Sequence, residues 1–313
     1  MKCHLTLLPA SDKHRKFASL GPRSWKKRLF EDITDDLVVE VQFLALTLAT
    51  GINDAVCFTQ YGVFVSNQTG NTALLAVAVF NLGGEGYELS NIGISLGLFI
   101  IAGLLFGQLG NYFGRRRRFW LIFSNVVQTA LMFAAAALRQ WTRVTRAGPH
   151  AWSVISLMAF SSGAQVAMAR TINLPEITTG MVTSAYIDFL VDQRIFGRHN
   201  RPRNRRGFFV LCLLSGSFIG ASVDRYGAAA LAMLLTSLFK AFVAISFLFN
   251  HSIPPESPDA KEDIEVAIQE DEPSTNPNGS LPEDNCENSS PPDDQRGRHD
   301  NEQSSQHNGS RTN

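Results

Sequence analysis

Residues 51–71 read GINDAVCFTQYGVFVSNQTGN, and this stretch decides the fold. It is apolar enough for a membrane segment, yet it carries a carboxylate, several amide side chains and a glycine at position 70. Long apolar runs follow it almost to residue 250. A run of about 20 apolar residues can cross a bilayer as a helix. The sequence therefore predicts an all-α, multi-pass membrane protein.

The chain divides into three regions by composition. Residues 1–36 are polar and basic, and we expect them in the cytoplasm. Residues 37–250 form the transmembrane domain. Residues 251–313 carry fifteen acidic and four basic residues, which predicts an acidic disordered tail, also cytoplasmic. The formal net charge of zero results from a basic and an acidic end that cancel each other. As partners we expect the lipid bilayer and a small solute, and no nucleic acid.

Eight apolar segments follow one another within the transmembrane domain. Six are long enough to cross the bilayer, whereas the second and the sixth are short and more polar. We therefore expect about six transmembrane helices plus two short or re-entrant half-helices. The eight segments are Leu37–Tyr61, Gly70–Leu82, Asn91–Phe113, Phe119–Leu138, Trp152–Arg170, Thr178–Val191, Gly207–Val223 and Gly227–Phe249.

The two halves of the domain, residues 39–138 and 151–249, are alike. In each half a long segment carries a polar patch, Gly51-Ile52-Asn53 or Gly163-Ala164-Gln165, and a Thr-Gly pair opens the short segment that follows. If the short segments do not cross, each half has three crossings and the second half is inverted relative to the first. A 3+3 inverted repeat with broken helices is the architecture of many secondary transporters.

The distribution of basic residues gives the orientation. With three crossings in each half, the basic clusters at residues 115–118 and 198–206 share the cytoplasmic side with both termini, as the positive-inside rule favours. Arg139, Arg143 and Arg146 fall on the other side, against the rule. The cluster at residues 198–206 is either a determinant of this topology or a contact for anionic lipid.

Glycine pairs at helix-packing spacing occur in the third and the seventh segments. Such pairs let the backbones of two membrane helices approach closely. Because three of the pairs lie in the third segment, we expect that segment to be a central packing helix. The pairs are Gly93/Gly97, Gly103/Gly107, Gly110/Gly114 and Gly216/Gly220.

Polar residues near the two helix breaks are the candidates for solute binding or coupling. Non-helical backbone inside a bilayer must be buried in protein or line a wet cavity. We therefore expect the two Thr-Gly stretches to meet at the centre, where N–H groups at half-helix N-termini suit an anion. The candidates are Asn53, Asp54, Asn67, Thr69, Gly70, Asn71, Gln165, Arg170, Thr179 and Gly180.

Asp54 is the sharpest of these candidates. A carboxylate inside an apolar segment costs about 2.5–3.5 kcal/mol on insertion scales and is a functional candidate by default. Three roles are open for it. It couples transport to protons, it caps a helix break or pairs with Arg170, or it lies at an aqueous interface.

The same residues carry a resemblance to a known family. They resemble the motifs of the YoaK-like family of multi-pass membrane proteins over roughly residues 37–250. The resemblance implies about six spans and no reaction, because the family's activity is not settled. The last motif departs from the family's pattern, since residues 177–180 read ITTG with compressed spacing. The matching positions are Gly51, Asp54, Ala55, residues 64–67 with 69–71, Gly163, Gln165 and Arg170.

Two classes of function fit these features. We expect a secondary transporter of a small polar or anionic solute, because of the repeat, the short segments and Asp54. The alternative is a non-catalytic structural or interaction protein that uses the disordered tail for docking. The sequence has no HExxH motif, no Walker loop and no histidine cluster, so we expect no enzyme. The four cysteines lie far apart, and we expect no metal and no cofactor.

Overall fold

The computed structural model is helical throughout the residues that it describes. These are residues 28–34, 36–82, 87–142, 145–172, 182–197 and 200–252. Within them the only β-type pairing consists of two isolated bridges, and no strand forms. Most of the basic N-terminal region and nearly all of the acidic tail lie outside the described residues, so the interpretation of these two regions stays a prediction.

Eight α-helices of at least nine residues follow one another in the described part of the chain. All except the second and the sixth are long and apolar enough to cross a membrane. The predicted all-α fold with six spans and two short helices is confirmed. The helices are α1 Leu37–Tyr61, α2 Gln68–Val79, α3 Leu89–Phe113, α4 Arg118–Trp141, α5 Pro149–Ile172, α6 Val182–Leu190, α7 Arg201–Arg225 and α8 Ala229–Ser246, which the 3-10 turn Phe247–Phe249 extends.

Hydrogen bonds between helix ends define two faces of the bundle. The terminal face is the one where α1 begins and α8 ends, and there the Gln42 amide donates to Oδ1 of Asn250 at 2.7 Å. The distal face is the opposite one. There the side chain of Asn91, at the start of α3, donates to the carbonyl of Tyr61 at the end of α1, at 3.1 Å. Since α1 ends and α3 begins on the same face, α2 does not cross.

The second half repeats this arrangement on the opposite face. Arg116, in the loop before α4, donates to the Ile172 carbonyl at the end of α5, at 2.9 Å. Arg205 in the second turn of α7 pairs at 2.6 Å with Glu40 in the first turn of α1. Both contacts lie on the terminal face, so α5 ends where α7 begins and α6 does not cross. Each half therefore has three crossings, and the second half is inverted.

Helix packing follows the same two-fold pattern. Helix α1 packs most extensively against α7, and α3 packs in the same way against α5. Helix α2 covers α3 as α6 covers α7, while α4 and α8 pack against each other. Exchanging α1–α4 for α5–α8 leaves this pattern unchanged. Helices α1 and α5 begin 112 positions apart, as do α3 and α7. The predicted 3+3 inverted repeat is confirmed.

Large apolar side chains cover the outer surface of the long helices. A soluble monomer rarely exposes a continuous apolar surface of this kind, which marks a membrane or a partner. Since the apolar side chains recur along α3, α4, α7 and α8, the surface that they form faces lipid. Representative exposed side chains are Ile100, Leu104, Leu211, Phe218, Phe242 and Ile245.

Glycines allow two helices to approach closely at each of the two largest helix interfaces. These glycines are not the ones in the third segment that the sequence had predicted. A Cβ added to Gly220 would lie 2.6 Å from the Ile52 carbonyl oxygen, and one added to Gly163 would lie 2.5 Å from the Phe99 carbonyl oxygen. The prediction that α3 is a central packing helix is wrong. Four of its five glycines face open space, whereas Gly110 packs against Trp120 of α4, and the close backbone contact with α3 is made by Gly163 of α5. No atom lies within 4 Å of a Cβ built at Gly93, Gly97, Gly103 or Gly107.

Alanine substitutions test this packing. We expect Gly163→Ala and Gly220→Ala each to lower the free energy of unfolding by about 1–3 kcal/mol, because the added methyl group overpacks against backbone that cannot yield. Thermal unfolding in detergent measures the effect. Gly103→Ala is the matched control and should leave the midpoint unchanged or raise it, and an equal loss there would contradict the packing described.

The topology is tested by reporter fusions. Fusions after Arg116 and after Asn204 should report the same side of the membrane, because both positions lie on the terminal face. A fusion after Gly227, in the turn between α7 and α8, should report the opposite side. Opposite results at positions 116 and 204 would mean that one of the short helices crosses.

Candidate functional site

The chain after α1 folds back into the bundle. Gly62 ends α1 with a left-handed φ of 70°, and the next residues are not helical. The amides of Val65 and Ser66 donate to Oδ1 of Asp54 at 2.9 and 2.8 Å. Asp54 lies seven residues before the end of α1, which is about 10 Å along the helix axis. The loop therefore returns by that distance before α2 begins, and α2 is a re-entrant half-helix.

Side chains of the loop and of α3 satisfy the remaining backbone groups at this depth. Oδ1 of Asn71 accepts from the Phe64 amide at 2.9 Å, and its Nδ2 donates to the Phe64 carbonyl at 2.7 Å. The Ser95 hydroxyl donates to the same carbonyl at 2.6 Å. Asn67 caps α2 by accepting from the Gly70 amide at 3.2 Å. Lipid offers no such partners, so these side chains make the break possible.

Asp54 therefore acts as the cap of a helix break. Its carboxylate also accepts from the Ser66 hydroxyl. The alternative ion pair with Arg170 is not formed. Gln165 bonds Thr50 at 2.8 Å, which sets the level of α5 against α1. Measured from that level, Arg170 lies towards the terminal face and Asp54 lies towards the distal face. The two residues are therefore about 13 Å apart along the helix axes. A coupling role for Asp54 stays a prediction.

The first Thr-Gly stretch does not reach the centre of the bundle. Thr69 and Gly70 lie at the start of α2 in the distal half, where Asn71 ties the stretch to α3, and Thr69 is exposed. The expectation that the two stretches meet at the centre is wrong for this half. Thr179 and Gly180 lie outside the described residues. Because Asn67 already caps α2, its N-terminus is not an open anion site.

The centre of the bundle holds a different polar cluster, of which the sequence analysis had named only Gln165. Lys240 of α8 is 1% exposed, and its Nζ donates to Oε1 of Gln128 in α4 at 3.0 Å and to Oε1 of Gln165 in α5. Gln165 donates in turn to Thr50 in α1 at 2.8 Å. The Gln128 amide donates to Ser124 at 2.9 Å. This central cluster joins the four inner helices α1, α4, α5 and α8.

The central cluster obeys the repeat. Residues related by a two-fold axis touch each other only near that axis, so the bond between Gln128 and Lys240, which are 112 positions apart, places the axis at the cluster. Within the described part of the chain, five pairs of buried polar residues share the spacing of 112, namely Thr50/Ser162, Asn53/Gln165, Ser124/Thr236, Asn125/Ser237 and Gln128/Lys240. Of these five pairs, Gln128/Lys240 alone differs in charge.

The charge of Lys240 has no counter-ion within the described part of the chain. Its hydrogen bonds there go to amide oxygens alone, although an ammonium group has three donors. A lysine at the centre of a bilayer costs about 2.5–3.5 kcal/mol on insertion scales. The Oδ1 atoms of Asn53 and Asn125 are buried and accept no hydrogen bond from described residues. The central cluster thus holds one unneutralised cation, and each spare acceptor lies about one helical turn from a member of the cluster, Asn53 from Thr50 and Asn125 from Gln128.

One stretch of α3 has the spacing of a hydrolase motif. Residues 93–97 read GISLG, which fits Gly-x-Ser-x-Gly. That motif works on a sharp turn between a strand and a helix. Here Ser95 lies within a helix, and its hydroxyl is buried and donates to the Phe64 carbonyl. The serine of this stretch therefore binds the loop after α1, and the stretch does not support an enzymatic function. Among the described residues no group of three His, Cys, Asp or Glu side chains could hold a metal ion.

A comparison with known protein families identifies the family of this chain. The model of a family described as proteins of unknown function (DUF1275) matches residues 42–246. The chain belongs to this family. The match begins within α1 and ends at the last residue of α8, so the DUF1275 region contains both short helices and the central cluster. No curated protein and no solved structure matches the chain. The YoaK-like name stays a prediction. The family match gives neither a reaction nor a transported solute.

Two substitutions separate the capping role of Asp54 from its charge. Asp54→Asn keeps the oxygen that accepts from Val65 and Ser66, so we expect a loss of less than about 1 kcal/mol in the free energy of unfolding. Asp54→Leu leaves two buried N–H groups without a partner, each of which costs about 1–3 kcal/mol. Denaturant titration in micelles measures both. If Asp54→Asn is as damaging as Asp54→Leu, the charge matters more than the hydrogen bonds.

Proposed function

We propose that this protein is a secondary transporter of a small anionic solute, with Lys240 as the group that binds it. The observation that supports the proposal most strongly is the position of this buried cation on the axis of the inverted repeat. In inverted-repeat transporters the solute site lies near the bilayer midplane at the interface of the repeats. Lys240 is the twelfth residue of the 21-residue span Ala229–Phe249, which is the middle of the membrane.

The electrostatics of the central cluster favour an anion over a neutral solute. Gln128 and Gln165 offer Lys240 only the negative ends of amide dipoles. A bound anion would supply a full counter-charge, and a charge-assisted hydrogen bond is about twice as strong as a neutral one. The spare oxygens of Asn53 and Asn125 would then accept from a hydroxyl or protonated group of the same solute.

The orientation is part of this proposal. The terminal face carries the basic residues 115–118 and the arginines at the start of α7, so the positive-inside rule favours the cytoplasm for this face and for both termini. Arg139, one exception to the rule, donates at 2.9 Å to Gln60, which in turn donates at 2.7 Å to Asp224 on the distal face. The rule counts Lys and Arg and not net charge, so Arg139 still counts against this orientation.

Uptake into liposomes tests the proposal. Reconstituted wild-type protein should take up at least one of chloride, nitrate, formate, acetate and phosphate faster than empty liposomes. Lys240→Met keeps the length of the side chain and removes its charge. We expect its KM to rise about 10- to 100-fold, because a hydrogen bond to a charged group contributes about 1.5–3 kcal/mol.

The repeat supplies a matched control. The double variant Gln128→Lys with Lys240→Gln moves the cation to the equivalent position across the two-fold axis, and it should recover part of the uptake that Lys240→Met loses. Folded wild-type protein that moves none of the five anions would contradict the proposal. It would favour the alternative, a non-catalytic structural or interaction protein. Unchanged uptake in Lys240→Met would remove the role of Lys240.

A further inference from the structure

A groove opens between α1 and α7 on the terminal face, far from the central cluster. Its volume is about 550 Å³, which lies within the usual range of small-molecule sites. The first turns of both helices line it, where the chain enters the membrane. The residues that form its walls include Leu37, Glu40, Val41, Arg201, Arg205 and Phe208.

Among the described residues that line the groove, two arginines face one carboxylate at its polar end. Glu40 is buried, and its Oε1 pairs with Arg201 and, at 2.6 Å, with Arg205 one turn further along α7. Two guanidinium groups thus share one carboxylate oxygen. The side chain of Arg201 is 58% exposed, so it is accessible at the mouth of the groove. The carboxylate of Asp192 pairs with the neighbouring Arg206 at 3.5 Å and does not line the groove.

The walls of the groove are apolar and open to the bilayer. Leu37, Val41 and Phe208 are exposed by 67%, 55% and 56%. Val41 and Phe208 lie one turn deeper in the membrane than Leu37 and Arg205, on helices that run side by side. A ligand that fits this arrangement carries an anionic head at the level of the arginines and an apolar chain that descends between the two helices.

From this geometry we propose that the groove binds one anionic phospholipid of the leaflet at the terminal face. The lipid phosphate pairs with Arg201 and Arg205, and one acyl chain lies against Val41 and Phe208. Basic pockets between membrane helices bind anionic headgroups by the same chemistry. The apolar walls favour a lipid over free phosphate, which could fill only the mouth. This site does not depend on the transport proposed above.

Lipid titration of the full-length protein in detergent tests the site. Native mass spectrometry counts bound phosphatidylglycerol and phosphatidylcholine with identical acyl chains. We expect one phosphatidylglycerol to bind in preference to phosphatidylcholine. Arg201→Gln should weaken this binding about fivefold, which is the contribution of one arginine near an anionic membrane surface. Val41→Trp should remove the site by filling the groove, and both positions are exposed enough for the variants to fold.

Two further variants test whether charge within the groove, and not charge elsewhere on α7, controls lipid binding. Glu40→Gln keeps the hydrogen bonds to the arginines and removes the competing carboxylate charge, so it should tighten phosphatidylglycerol binding. Arg225→Gln removes an exposed arginine from the other end of the same helix and should change nothing. Equal binding of the two lipids by wild-type protein would overturn the proposal. So would equal losses in Arg201→Gln and Arg225→Gln, since general charge attraction would then explain both.

Discussion

Inside a bilayer, every polar backbone group must find its partner within the protein, and the rest of this structure depends on how residues 62–67 meet that constraint. Asp54 and Asn71 accept the amides that the loop leaves free. Because they do, the chain can reverse within the membrane and α2 need not cross. Three crossings then remain in the first half, and an odd number inverts the second half. The two-fold axis, and with it the central cluster, follows from this local solution.

Much of the fold could be predicted from the sequence, because the bilayer sets strict lengths. The first segment was expected at Leu37–Tyr61, and α1 has those bounds. It was harder to predict which side of a helix meets protein and which side meets lipid. Glycines spaced by four residues in α3 show that one side of that helix is small. They do not show whether this side meets protein or lipid, and the tight contact involves Gly163 on the neighbouring helix instead.

The centre of the site was missed although two signals were available. Lys240 is the single lysine between Leu37 and Asn250. Extending the alignment of Gly51 with Gly163 along the chain would have paired Gln128 with Lys240. The bond between them could not be predicted, because it depends on how α4 and α8 meet across the axis. Asp54 was recognised as a buried charge, but its backbone partners lie eleven and twelve residues away in a loop whose path the sequence does not specify.

The glycine contacts also determine where the bundle is stiff. Gly220 against Ile52 joins α7 to α1, and Gly163 against Phe99 joins α5 to α3, so each contact links one helix of each half. Backbones this close interlock and resist sliding. The central cluster instead joins its helices through side-chain hydrogen bonds, which fix the distance between two backbones less strictly than a direct backbone contact does. The stiff units are therefore the pairs α1–α7 and α3–α5, and a change of conformation would shift these pairs and leave the two halves of the sequence intermixed.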